Sequence, residues 1–173
     1  SPGGFRLDRT PSVVSMFEAL QSCSTQAQVK DAFQNIAPDI SSIINVADPS
    51  GAYSYECSLS AMKRRSADQQ GLLVSTNHFI DPSWGLDPPE PDSDNGWTVA
   101  RRNNGLAWAE KTKGYISVNP MKDILSKDIT SEGGLFSSST IYQVVAVPEQ
   151  LIIWLRAPDH FDWQKIDLIE LFN

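Results

Sequence analysis

The run Asp48-Pro49-Ser50-Gly51 constrains this chain more than any other feature, because it is turn chemistry set between two segments of β-pattern. Before it, residues 42–47 are apolar and β-branched. After it, Tyr53, Tyr55 and Cys57 alternate with Ser54, Glu56 and Ser58, the period of a half-buried strand. Two such runs joined by a tight turn predict an antiparallel hairpin. Leu72, Val74 and Thr76 alternate with Leu73, Ser75 and Asn77, which predicts a third strand over 72–77. The same pattern returns at the end of the chain over 140–147, 151–156 and 164–171, with Pro148-Glu149-Gln150 as a turn.

The helical signals fall elsewhere. Thr10-Pro11 reads as an N-cap with proline at the first helical position, followed by an apolar stripe of Val13, Val14, Phe17 and Leu20. Thr25 and Gln28 form a capping box, Val29, Ala32, Phe33 and Ile36 repeat at helical spacing, and Pro38 stops the helix. A third helix is expected over 98–113, weakened by Asn103, Asn104 and Gly105, and Asn119-Pro120 opens a short fourth one carrying Ile124 and Leu125. Residues 81–96 hold four prolines and several acids, a long stiff loop of the kind that covers something or carries function. Helices and antiparallel strands therefore come in separate blocks, and the expected class is α+β with antiparallel sheets and helices packed on their faces.

Composition narrows the partners. The 173 residues suit one domain or a large piece of one. Fourteen Lys and Arg against 21 Asp and Glu leave a net charge of -7, and no basic stripe offsets it, so nucleic acid is an unsuitable partner. No apolar run approaches the ~20 residues of a membrane helix. The opening Ser1-Pro2-Gly3-Gly4 has neither the charged nor the apolar part of a signal peptide. Two cysteines, Cys23 and Cys57, make no disulfide scaffold and read as core thiols. Metal-ligand spacings and phosphate loops are absent from the sequence, so no cofactor is expected.

Four short motifs occur in a fixed order: the hairpin of residues 45–58 with Glu56 as its acid, Leu72 to Phe79 with its Thr76-Asn77, Thr98-Val99-Ala100-Arg101, and Ser139-Thr140-Ile141-Tyr142 leading through Leu155. Together they resemble the choloylglycine hydrolase and penicillin acyltransferase families of N-terminal-nucleophile hydrolases, over most of residues 10–170. The resemblance implies a four-layer αββα sandwich and hydrolysis or transfer of an acyl group from an amide, with a small amide or acyl compound as substrate. In these families an autoproteolytically exposed N-terminal Cys is the nucleophile and its own α-amino group, with a pKa near ~8, is the base. No part of residues 1–40 resembles the hairpin that this cysteine opens. Residues 1–173 are thus expected to be the C-terminal portion of one such domain. The nucleophile would then sit on a missing segment or partner chain, or the chain would form a homo-oligomer. Ser1, before Pro2-Gly3-Gly4, reads as a linker or cleavage scar, and the chain alone is expected to be inactive. The alternative is a non-catalytic binding or structural module of the same fold.

The resemblance makes Asn77 the oxyanion donor, a role whose loss costs on the order of 100-fold in rate; a strand-end Asn satisfying its own backbone is the plainer use. It makes Arg101 the cation that tunes the nucleophile, against a solvated helix-face charge beside Arg102. Phe79, Trp84 and Trp97 would wall an acyl pocket or pack a core. Ser139 and Thr140 would meet substrate at the start of their strand. Glu56 would pair with an arginine or lie exposed on its strand, and His78 is expected to be a satisfied or exposed residue outside the chemistry.

Overall fold

The computed structural model describes residues 4–69, 71–90, 96–114 and 116–172. The chain divides into two compact units, Ser1–Val99 and Ala100–Asn173. Each carries one three-stranded antiparallel sheet, in keeping with the α+β class.

The first unit begins with α1 (Ser12–Ser22) and α2 (Gln26–Gln34). The first helix starts one residue later than Thr10-Pro11 implied: Pro11 is its N-cap position and makes no side-chain cap bond. The cap comes from far along the chain, since Asp39 Oδ1 accepts from both Ser12 N and Ser12 Oγ. That bond turns Ser12, Ser15 and Ala19 inward, and the apolar stripe expected to be buried faces outward, with Phe17 62% and Leu20 77% exposed. The second helix has the predicted capping box of Thr25 and Gln28.

The predicted hairpin is present as β1 (Ser42–Asp48) and β2 (Gly51–Cys57), in register from Ser42↔Cys57 to Asp48↔Gly51. Pro49 and Ser50 close it, and Gly51 takes φ 147, a value that costs glycine little. The third strand is β3 (Met62–Ser66), which pairs with β2 and makes β2 central. Residues 72–77 do not form the predicted strand: they join no sheet. The central strand is buried from Ser54 to Ser58 on both faces. One face, with Tyr55 and Cys57, meets the helices, and Tyr55 Oη donates to Gln26 Oε1 at 3.1 Å. The other face, with Ser54 and Glu56, lies under residues 75–84.

The helix α3 (Gly96–Lys111) runs from the first unit into the second. In the second unit Asn104 Nδ2 donates to the carbonyls of Ile129 and Gly134, bracing the loop that follows α4 (Val118–Ser126). Asn119 and Pro120 lie inside the first turn of α4, whose N-cap position is Ser117. The sheet is β4 (Gln143–Val147), β5 (Ile152–Ala157) and β6 (Phe161–Asp167), in that order. The last strand is earlier and shorter than 164–171, because His160 N bonds Ala157 O in a tight turn and the chain ends in α5 (Leu168–Phe172). Lys122 of α4 sits 3.1 Å from the centroid of Trp154 on β5, and Trp163 Nε1 donates to Ser126 Oγ at 3.3 Å, so α4 covers that face of the sheet.

Candidate functional site

The first unit is organised around a carboxylate. Glu56 is fully buried in the central strand and every lone-pair direction of its two oxygens is used. Oε1 accepts from Arg65 Nε at 2.7 Å and Ile80 N at 2.9 Å. Oε2 accepts from Trp84 Nε1 at 2.7 Å and Asp81 N at 3.2 Å. Arg65, on the neighbouring strand β3, reaches further: its Nη2 donates to Ser75 Oγ at 2.8 Å and Ser54 Oγ at 3.3 Å, and Ser75 Oγ donates to Ser54 Oγ at 2.9 Å. Of the two positions left open by the sequence, Glu56 takes the ion pair with an arginine. Saturated as it is, it cannot accept a proton from a substrate without breaking one of these bonds, so it positions other groups.

What it positions is the segment containing Asn77. Ser75 is held from one side by Arg65, and Ile80 and Asp81 from the other by Glu56. Between them, Asn77 N donates to Thr98 Oγ1 at 2.6 Å. Thr98 is buried, in the first turn of α3. The backbone of Asn77 is thus fixed by its own bond and by its neighbours', while the residue lies on the exposed surface. His78 is half-buried, its Nδ1 3.0 Å from Thr98 Oγ1 and 3.2 Å from Thr76 Oγ1. Those contacts match the satisfied role expected for it.

Phe79 and Trp84 stack, with ring centroids 5.1 Å apart, beside the same segment. Lys63 Nζ lies 4.3 Å from the Trp84 ring centroid and donates to Ser83 Oγ at 2.6 Å. Trp97, on the first turn of α3, is about half exposed. Asn77, Phe79, Trp84 and Trp97 all belong to the first unit; Arg101, Ser139 and Thr140 belong to the second. Arg101 is half-buried on α3, and the neighbouring Arg102 buries its Nε without a hydrogen-bond partner among the described residues. Ser139 and Thr140 are not at the start of a strand, as expected, but in a turn before β4, where Ser137 N donates to Thr140 Oγ1 at 3.1 Å. Ser1 lies outside the described residues, as do Pro91 to Asn95 of the proline-rich loop.

Cys57 is not an activated thiol. It is buried, and burial pushes its thiol up to about 11. Cys23 is half-buried at the end of α1, and both thiols are free. Among the described residues, no group of three or more His, Cys, Asp or Glu is arranged to hold a metal ion, and no helix is long and apolar enough to cross a membrane.

Arg65, Ser75 and Thr98 are the members of this arrangement whose roles the sequence hid. Glu56 lies on the polar period of its strand, so nothing local marked it as buried; the one available signal was the three successive cations, Lys63 to Arg65, on the strand that pairs with it. No protein-family model and no curated protein matches this chain.

Proposed function

We propose that this chain is the oxyanion- and pocket-supplying portion of an amide hydrolase or acyltransferase of the N-terminal-nucleophile type. Its nucleophile is a cysteine carried on a separate segment or partner chain. The observation that carries the reading is the pinning of the Asn77 segment: an exposed amide residue whose own backbone amide is held by Thr98, with its neighbours held through the Ser75 hydroxyl by Arg65 and the amides of Ile80 and Asp81 by Glu56. An oxyanion donor works only if it is aimed before the charge develops, and an amide does this without introducing a charge of its own. In the reaction, the thiol attacks the amide carbonyl, the α-amine of the same cysteine takes the thiol proton, and the Asn77 amide donates to the carbonyl oxygen as it becomes an oxyanion. Phe79, Trp84 and Trp97 line the acyl side.

A second reading, a non-catalytic binding module of the same fold, is favoured by one observation: of the two thiols, Cys57 is buried and kept protonated and Cys23 lies half-buried at the end of α1. The two readings part in the complete protein. Asn77→Ala there lowers kcat by on the order of 100-fold, about 2.7 kcal/mol, with a smaller change in KM and an unchanged melting temperature. Asn77→Asp is at least as damaging. Near-normal kcat with a lowered melting temperature would make Asn77 a structural cap. Turnover of an acyl amide by residues 1–173 alone, abolished by Ser1→Ala, would move the nucleophile to Ser1.

A further inference from the structure

Thr98 Oγ1 is shared by two consecutive residues, lying 2.6 Å from Asn77 N and 3.0 Å from His78 Nδ1. Thr98 is only 3% exposed, so its hydroxyl depends on protein partners, and among the described residues these are the two it has. A backbone N–H can only donate, so the bond to Asn77 uses a lone pair of the Thr98 oxygen. The hydroxyl still has one proton to place, and His78 Nδ1 is the acceptor within reach. A buried hydroxyl proton with no acceptor is rare in folded proteins.

The nitrogen facing Thr98 therefore carries a lone pair, which puts the proton of a neutral imidazole on Nε2. A ring protonated at Nδ1 would aim a second donor at the same oxygen and strand the Thr98 proton. Thr76 Oγ1 lies farther from Nδ1, at 3.2 Å, and Thr76 is half-buried, so water can serve its hydroxyl. The consequence for Thr98 is directional. A hydroxyl turns about its C–O bond, and where its proton points decides where its lone pairs point. With the proton held on His78 Nδ1, a lone pair stays aimed at Asn77 N.

We infer that His78 is a positioning residue: its Nδ1 fixes the Thr98 hydroxyl proton, and the hydroxyl so turned holds the backbone of Asn77. Its bearing on catalysis rests on the reading of Asn77 as oxyanion donor. In that reading His78 touches no reacting atom and acts through Thr98.

The test begins with long-range 1H–15N spectra of the full chain at about pH 8, where an ordinary histidine is neutral. His78 is expected to show a bare Nδ1 and a protonated Nε2, with the exposed His160 of the β5–β6 turn as reference. Two variants then separate the acceptor from the ring. His78→Phe keeps a ring of similar size and loses the acceptor. His78→Asn loses the ring and keeps an acceptor, Oδ1, as many bonds from the backbone as Nδ1. Amide exchange at Asn77 is expected to be roughly fivefold faster in the Phe variant, the loss of one hydrogen bond, and close to the parent in the Asn variant. A side chain that merely fills space gives the opposite order. In the complete protein the Phe variant lowers kcat by about 10-fold with little change in KM, and the Asn variant restores most of the rate. A proton on Nδ1, parent-like exchange in the Phe variant, or an Asn variant no better than Phe would each overturn the inference. Should the spectra and exchange come out as expected while kcat does not move, the relay stands and it is the oxyanion role of Asn77 that fails.

Discussion

Trp84 and Glu56, 28 residues apart in sequence, are joined by a hydrogen bond of 2.7 Å from the indole Nε1 to the carboxylate Oε2 in the interior of the first unit. The same carboxylate holds Arg65 on its other oxygen. A charge so placed is stabilising only as long as all its donors remain, because an ion removed from water must be compensated on the spot.

Removing either partner should therefore be severe. Glu56→Ala and Arg65→Ala are each expected to lower the unfolding free energy by about 3–5 kcal/mol, measured by denaturant titration. Glu56→Ala should also shift the Trp84 emission to the red as the ring loses its anchor. Losses under about 1 kcal/mol would show that the pair is dispensable.

Thr98 is the test of positioning as distinct from chemistry. On the proposed reading, Thr98→Val in the complete protein removes the acceptor of Asn77 N and should lower kcat by about 10-fold with little change in KM, the mark of an interaction expressed in the transition state. Thr98→Ser should restore most of the rate. A Ser variant as slow as the Val variant would mean that the buried methyl matters and the hydroxyl does not.

Acid sensitivity should trace to Asp39 and Asp48. The hydroxyl of Ser12 holds the Asp39 carboxyl below its ordinary value, and that of Ser50 does the same for Asp48, aided by the amide of Gln26. Both are depressed in the folded state. Their stabilisation is therefore fully present above the unfolded value near ~3.9 and is lost as pH falls through the folded values. The melting temperature should be level between about pH 6 and 8 and fall below about pH 4. Asp39→Asn and Asp48→Asn should each lower it at neutral pH and flatten the acid slope. An unchanged acid slope in both variants would place the sensitivity elsewhere.

In the second unit, Gly134 admits no side chain. A Cβ there would stand 2.0 Å from the carbonyl oxygen of Lys127, which is backbone and cannot swing away. Gly134→Ala should cost roughly 1–3 kcal/mol and loosen the loop that Asn104 braces, visible as faster amide exchange at Ile129 and Phe136. Gly133→Ala, where a Cβ meets open space but φ is 65, should cost less.

The hairpin of residues 42–57 was legible because its signals are local: alternation on both sides of a turn that only a few residue types make. The segment 72–77 has the same alternation and yet no ladder. Only Ser75 is bound to the sheet, through Arg65 and Ser54, and residues 72–76 are all half-buried without alternation, so a period of two in the sequence does not record what the backbone bonds to. The strand at 62–66 was invisible for the opposite reason, since Lys63, Arg64 and Arg65 read as solvated while Arg65 turns inward to a buried acid. The outward stripe of α1 could not be foreseen either. Its orientation is set by Asp39, 27 residues beyond Ser12, and small residues rather than large ones take the inner face. Asn77 was singled out only through the resemblance of its motif, and the bonds around it could not be foreseen, because Arg65, Ser75 and Thr98 are ordinary residues until the fold brings them round one segment.

Asp48 occupies two structures at once: its Oδ1 closes the β1–β2 turn on Ser50, and its Oδ2 accepts from Gln26 N at the head of α2. The turn and the helix end therefore share one side chain and cannot form to completion independently. In kinetic terms, a chain that has made the hairpin presents α2 with a ready acceptor for its first free amide, lowering the nucleation barrier of a nine-residue helix that is too short to persist alone. The helix and the hairpin should then appear in a single folding phase, with the strand pair first to be committed and the helix following at no separate step.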